Sequence, residues 1–192
     1  MSGILTDWQI QSAITDGTLK VEPFDAKFIN PNSLDIRLGN NFKINEVTGK
    51  ILDVYHQRTF NDRFKELTIE DYENIIIYPQ QNILATTLET ITLPNNICAS
   101  LEGKSSMARL YIENHKTGGF IDAGFSGEIT LELCSSFKDP VRLYPGMPIG
   151  QLVFYEIAPV AIPYGEKNNS KYQNQKGATT SMYYRNHING EI

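Results

Sequence analysis

Three stretches of this sequence bring together side chains that could do chemistry. The first is Ile129-Thr130-Leu131-Glu132-Leu133-Cys134, a strand-like run with a carboxylate inside it. Side chains alternate across a strand, so Glu132 shares a face with Thr130 and Cys134, while Ile129, Leu131 and Leu133 take the other. On a solvated edge that carboxylate only keeps the face wet. On a face that lines a pocket, loss of water makes it a stronger base, suited to taking a proton from water. The second is Glu102-Gly103-Lys104-Ser105-Ser106-Met107-Ala108-Arg109-Leu110, where a strand ends in glycine and opens into a short helix. Backbone N–H groups, hydroxyls and cations converge there in a way that suits an oxyanion. Its glycine spacing is not that of a P-loop, and a capped surface helix would have the same composition. The third is Lys116-Thr117-Gly118-Gly119-Phe120-Ile121-Asp122-Ala123-Gly124-Phe125-Ser126-Gly127-Glu128. Its glycines let the backbone turn sharply or approach a ligand, and Asp122 could cap a turn, read a sugar hydroxyl or orient a water.

What is missing narrows the chemistry. Zinc-dependent nucleobase deaminases hold their metal with H-x-E and P-C-x-x-C. Here His56 precedes Gln57-Arg58, His115 precedes Lys116-Thr117, and His187 precedes Ile188-Asn189. Cys98 and Cys134 form no C-x-x-C, so ligand count argues against both catalytic and structural zinc. The same two cysteines read as reduced thiols of a cytoplasmic protein. A formal charge of -5 argues against a nucleic-acid polymer as partner, though not against a small anion accompanied by a divalent cation.

These residues need elements to hold them. The 192 residues are 41% apolar, enough for a real core, and the mean hydropathy is -0.30. There is no run of 18 apolar residues and no basic stretch followed by an apolar one at the start, so neither membrane spanning nor secretion is expected. Thr6 and Gln9 make a capping box, Trp8, Ile10, Ala13 and Ile14 give mixed helical spacing, and Gly17 is a stop, which predicts a short N-terminal helix. Strand signals follow. Leu34, Ile36 and Leu38 alternate with polar residues, as do Phe42 and Ile44; short β-rich runs lie at 75–78, 83–87, 91–93, 129–134 and 149–155. Many short strands favour a barrel or sandwich. Residues 56–72 are charged and weakly periodic, as in an insertion or long loop. From Gly165 onward the chain turns polar, either a frayed tail or a segment that orders over a ligand.

Taken in order, these blocks resemble the dCTP deaminase family within the trimeric dUTPase superfamily. The likeness is carried by Pro31-Asn32-Ser33-Leu34-Asp35-Ile36-Arg37-Leu38-Gly39, Leu101 to Leu110, His115 to Gly127, Ile129 to Leu133, Pro145-Gly146-Met147, Ile149-Gly150-Gln151-Leu152 and Ser170-Lys171-Tyr172-Gln173-Asn174-Gln175-Lys176-Gly177. It implies a mainly β, dUTPase-like distorted barrel or jelly roll of the β-clip type, with a short N-terminal helix. The catalytic domain would span 1–164, with 165–192 as its C-terminal lid. It also implies a homotrimer with active sites between subunits, and deamination of dCTP without zinc.

Within that resemblance Glu132 is the proton shuttle, and Ser105 and Arg109 from a neighbouring subunit hold the attacking water and stabilise the tetrahedral centre. Asp122 meets the deoxyribose, and Thr130, Leu131 and Glu132 read the base. Lys104, Ser105, Ser106, Met107, Ala108 and Arg109 meet phosphate and reacting centre, with Gln151, Tyr164, Lys171 and Gln175 closing over the triphosphate. Mg²⁺ is implied on the phosphates, held mostly through water, and dTTP is implied as an inhibitor. Deaminase-only members carry His then Arg just before the Ile-Asp, where this chain has Gly119 and Phe120, and tend to have Arg where it has Lys104. Those differences resemble the bifunctional, dUMP-forming branch, in which Asp122 orients a second water for α–β phosphate cleavage. Deaminase-only chemistry, a dUTPase without deaminase activity, and a non-catalytic nucleotide sensor are the alternatives. Gly118, where the family usually has Ala, and Tyr111, where it usually has Gly, are departures.

Overall fold

Alternating apolar residues in long runs demand partners on both edges, and the chain meets that demand by curling one sheet upon itself. The structure, a computed structural model, describes residues 3–60, 63–70 and 73–187. In chain order the elements are α1 (Asp7–Thr15), β1 (Lys20–Glu22), β2 (Ile29–Asn30), β3 (Ser33–Asn45), β4 (Phe64–Thr68), β5 (Ile75–Ile77) and β6 (Asn82–Thr92). They continue as β7 (Ile97–Gly103), α2 (Ser105–Ala108), β8 (Ile112–Glu113), β9 (Phe120–Ile121), β10 (Ser126–Ser135), β11 (Val141–Leu143) and β12 (Pro148–Glu156). Strands run β8-β10-β6-β3-β12-β7-β9, with β1 on β6 and both β2 and β4 on β3, while β5 and β11 pair separately. The mainly β, dUTPase-like architecture expected from the sequence is the one observed. No helix among the described residues is long and apolar enough to cross a membrane.

Helix α1 starts where the capping box places it, with Gln9 Oε1 accepting from the Thr6 N–H at 3.0 Å and the Thr6 hydroxyl at 2.9 Å. It ends at Asp16, and Gly17 follows at φ +80°, a left-handed turn that glycine adopts without a steric penalty. Ile10 is fully buried, whereas Trp8 is 68% exposed, so the helix docks by a narrow face.

Of three register shifts in the sheet among the described residues, two lie against β6. Between Leu38 and Phe42 strand β3 carries extra residues relative to β6, and between Glu128 and Thr130 strand β6 carries extra residues relative to β10. Bulges of this kind sharpen local twist and re-aim side chains. Gly39 sits at the first, where an added Cβ would lie 2.6 Å from Thr86 Cγ2; only glycine lets the two strands approach so closely. At the second, the Thr87 hydroxyl accepts from the Ile129 N–H at 2.9 Å and donates to the Glu89 carbonyl at 2.7 Å. The buried Glu89 carboxylate in turn takes the Arg37 N–H at 2.9 Å and Arg37 Nε at 2.6 Å. Phe42, Phe154, Leu131, Leu133 and Ile36 fill the interior.

The stretch 56–72 differs from the loop expected of it. It holds a 3-10 turn at Gln57–Thr59 and the whole of β4, which pairs with Asn41–Asn45 of β3. Phe64 and Leu67 are half-buried, while Lys65 and Glu66 face outward, so two apolar residues among many charges left little periodicity to read. Residues 61, 62, 71 and 72 of this stretch lie outside the described residues, as do 1, 2 and 188–192.

Candidate active site

The face of β10 that carries Thr130 and Glu132, with the loop before it, lines a cavity of about 530 Å³. Thr130 and Glu132 form its floor, Gly118, Phe120 and Asp122 one wall, and Phe64 and Leu84 another. Tyr164, Tyr172, Gln175, Thr179 and Ser181 make the roof. Period-2 alternation thus turns Glu132 and Thr130 to the cavity and sends Leu131 to the core, where it is fully buried.

Glu132 is held by main chain. Its Oε2 accepts the Lys116 N–H at 2.7 Å, and its own N–H donates to the Asn114 carbonyl at 3.0 Å. Asn114 is buried and donates from Nδ2 to the Glu102 carbonyl at 3.0 Å. One carboxylate oxygen is therefore fixed by a charge-assisted hydrogen bond. The other, Oε1, receives no donor among the described residues, and an added methyl at Gly118 would stand 3.8 Å from it. That leaves an oriented base with one lone-pair face toward the cavity.

Asp122 projects into the same cavity, and its carboxylate accepts no hydrogen bond among the described residues. A turn-capping role is thereby set aside, since the turn closes through its carbonyl, which accepts from the Phe125 N–H at 3.2 Å. Asp122 lies near Cys98, whose thiol is pushed up first by burial and further by the Asp122 charge. Phe120 is 65% exposed at the cavity rim. Beside it, a Cβ at Gly119 would meet the His115 ring and the Leu101 carbonyl at 3.0 Å. A histidine at 119 would force the His115 segment to move.

The roof is the chain's own C-terminal stretch. Gln175 Nε2 donates to the Glu128 carbonyl at 2.7 Å, and the Glu128 N–H donates back to the Gln175 carbonyl at 3.1 Å. Gly127, at φ +146°, lets this stretch lie against β10, for an added Cβ would be 3.0 Å from Gln175 N. Glu128 Oε2 accepts the Gly177 N–H at 2.7 Å, and Thr130 Oγ1 accepts the Thr179 N–H at 3.1 Å. Tyr164 accepts the Tyr172 N–H at its hydroxyl, 3.2 Å away. Lys171 is half-buried and does not line the cavity.

The oxyanion-type cluster stands elsewhere. Ser105, Ser106, Ala108 and Arg109 are exposed on and just after α2, and Met107 turns into the core. Lys104 Nζ pairs with Asp35, which also accepts from Asn30 Nδ2 at 2.9 Å. Gln151 is held on this side, accepting from the Ser33 hydroxyl at 2.7 Å and donating to the Gly103 carbonyl at 3.0 Å. Tyr111 follows at φ +53°, a left-handed conformation that costs a bulky residue energy and that glycine adopts freely; its ring stacks on Phe137. Within one chain, then, Glu132, Asp122, Thr130, Tyr164 and Gln175 share a cavity. Lys104, Ser105, Ser106, Arg109 and Gln151 form a separate patch.

Several contributors carried no sequence signal. The Lys116 donor is a backbone N–H, independent of side-chain type. Phe64 and Leu84 come from strands remote in sequence, and Thr179 and Ser181 sit in a polar tail.

Comparison with known proteins was informative over nearly the full length. A family model described as dCTP deaminase-like matches residues 4–157. A protein of Methanospirillum hungatei named "dCTP deaminase, dUMP-forming" is 50% identical over 183 residues, covering 95% of this chain and 97% of that one. One of the same name from Corynebacterium glutamicum is 41% identical, covering 97% and 99%. Among solved structures, the 2'-deoxycytidine 5'-triphosphate deaminase of Agrobacterium tumefaciens shares the fold, with a TM-score of 0.64 at 24% identity. That match covers 81% of this chain and 48% of the other.

Proposed function

The chain belongs to the dCTP deaminase-like family, and from that premise we propose that it hydrolyses dCTP to dUMP, ammonia and diphosphate, a route to the precursor of dTMP. The observation that carries the reading is the single cavity in which a main-chain-anchored Glu132 and an unpartnered Asp122 both stand.

In the first half-reaction Glu132 takes a proton from a water, which adds to C4 of the cytosine, and delivers protons to the ring and to the departing amine. The C4–N bond breaks and ammonia leaves. Positioned proton transfer of this kind contributes about 10²–10⁴-fold. Thr130, through its main chain and hydroxyl, borders the base, while Asp122 meets the deoxyribose. In the second half-reaction Asp122 orients another water toward the α-phosphorus, the α–β bridging bond breaks, and diphosphate leaves. Gly119 and Phe120 leave room for that water where two cationic side chains would fill the space.

Charge stabilisation needs the other patch. Ser105 and Arg109 are exposed and stand outside their own chain's cavity, which supports a homotrimer in which α2 of one copy completes the cavity of the next. Lys104, Ser106 and Gln151 would then approach the phosphates together with Tyr164, Lys171 and Gln175 of the roof. Among the described residues no cluster of three or more His, Cys, Asp or Glu is assembled. Mg²⁺ would be brought in on the triphosphate oxygens and kept largely hydrated. The cation would neutralise phosphate charge, and dTTP would compete for the same cavity. Cys98 and Cys134 are buried free thiols, in keeping with a cytoplasmic setting.

The test is product analysis of purified protein with dCTP and Mg²⁺. Ammonia and diphosphate should appear together, one for one, without free dUTP. Accumulating dUTP would reject the coupled reaction in favour of deamination alone.

A further inference from the structure

The roof over the cavity is fastened at two ends, and the second fastening belongs to the loop 53–60, which runs into the 56–72 insertion. Beyond Thr179 the chain turns back, with the Met182 N–H donating to the Tyr172 hydroxyl at 3.0 Å. It then enters a 3-10 helix, Tyr183–His187. There Tyr183 stacks on Tyr55 at 6.3 Å between ring centres, inclined 25°, and Tyr184 meets Phe60 at 5.6 Å and 57°. Phe60 and Tyr184 are half-buried.

The insertion is built to present those two rings. Asp53 accepts the Tyr55 N–H at 2.9 Å and pairs with His56 at 3.0 Å. The Thr59 hydroxyl donates to the Asp53 carbonyl at 2.6 Å and accepts the Asp53 N–H at 3.1 Å. Arg63 ties the base of the loop through the carbonyls of Thr59 and Lys50. These bonds brace the loop from within, on either side of the two rings. The same segment leads into Phe64, which lines the cavity that the tail roofs. Asn41, opposite β4, accepts the Ala178 N–H at 2.8 Å while donating to Glu66 at 2.9 Å, a further link between tail and insertion.

We infer that Tyr55 and Phe60 are positioning residues for turnover: they clasp Tyr183 and Tyr184 of the same chain and hold the C-terminal segment closed over the cavity. The inference rests on the reading above for what the cavity binds, and not for the clasp itself. Among the described residues two aromatic pairs join this loop to the tail, contacts of modest strength. If the clasp is lost, a smaller fraction of molecules is closed before nucleotide arrives, and apparent affinity falls by that fraction. Nucleotide at saturation closes the segment regardless.

The experiment combines Tyr55→Ala with Phe60→Ala in the full-length protein. Without nucleotide, tryptic cleavage at Lys176 and Arg185, followed by mass spectrometry, should accelerate at least about fivefold. KM for dCTP should rise about tenfold with kcat within about twofold. Tyr55→Phe with Phe60→Tyr should restore both. The reverse pair, Tyr183→Ala with Tyr184→Ala, leaves the insertion intact and should give the same shifts, with no further change when all four are combined. Wild-type protection of the tail in either pair, or additive shifts, overturns the clasp. Because cleavage is read on the protein alone, failure of the wild type to turn over dCTP would sink the proposed reaction and leave the clasp standing.

Discussion

The cavity around Glu132 and the patch around α2 use the same kinds of residue to opposite effect. In the cavity, carboxylates are fixed by backbone donors or left deliberately unpartnered, and neutral side chains surround them. On the patch, Ser105 and Arg109 are solvated, and the one buried charge, Asp35, is neutralised by Lys104 within the chain. On the proposed reading, one copy would supply the carboxylate and its neighbour the guanidinium.

The largest effect should come from the cavity side. Glu132→Gln keeps the shape and the Lys116 contact but cannot take a proton, so ammonia release should fall about 10²–10⁴-fold while calorimetry still detects dCTP binding. Undiminished turnover would remove the base from the mechanism. Next, an equal mixture of Glu132→Gln and Arg109→Ala chains, unfolded and reassembled together, should recover about a quarter of wild-type activity, because random assortment of two contributors gives one intact site in four. If both halves work within one copy, the mixture stays as inactive as its parents. Asp122→Asn should separate the two steps. Ammonia release would drop by about tenfold or less, but diphosphate would no longer accompany it and dUTP would collect. The smallest effect belongs to Gly118→Ala. Its methyl would stand at ordinary contact distance from Glu132 Oε1, so kcat should change by less than about threefold; a larger loss would mean that the water occupies that gap.

Much of the fold could be read in advance because β3, β6, β10 and β12 are long enough to display alternation. Strand β4 could not, since Phe64 and Leu67 are diluted by Lys65 and Glu66, and its pairing depends on β3 far away in sequence. For the site, Glu132 and Asp122 were legible as chemical types in suggestive settings, and the structure places both on one cavity. The Lys116 N–H and the main-chain bonds that seat Gln175 on β10 leave no trace in residue type. The tail read as polar, either frayed or ordering over a ligand; it is tied down by main-chain bonds to β10 and by the rings of Tyr183 and Tyr184, whose partners are remote in sequence. Where Ser105 and Arg109 would act is beyond local spacing altogether, since on the proposed trimer it would depend on how copies meet.

The seating of the tail also protects the molecule from its own kind. Between Ser126 and Thr130 the outer side of β10 has no neighbouring strand, and the Ser126 carbonyl and the Glu128 N–H are satisfied by Asn174 and Gln175. A chain trimmed before Asn174 would present a bare row of donors and acceptors, the kind of margin onto which further chains add and precipitate. Shelf life and solubility, as much as turnover, would then depend on the last nineteen residues.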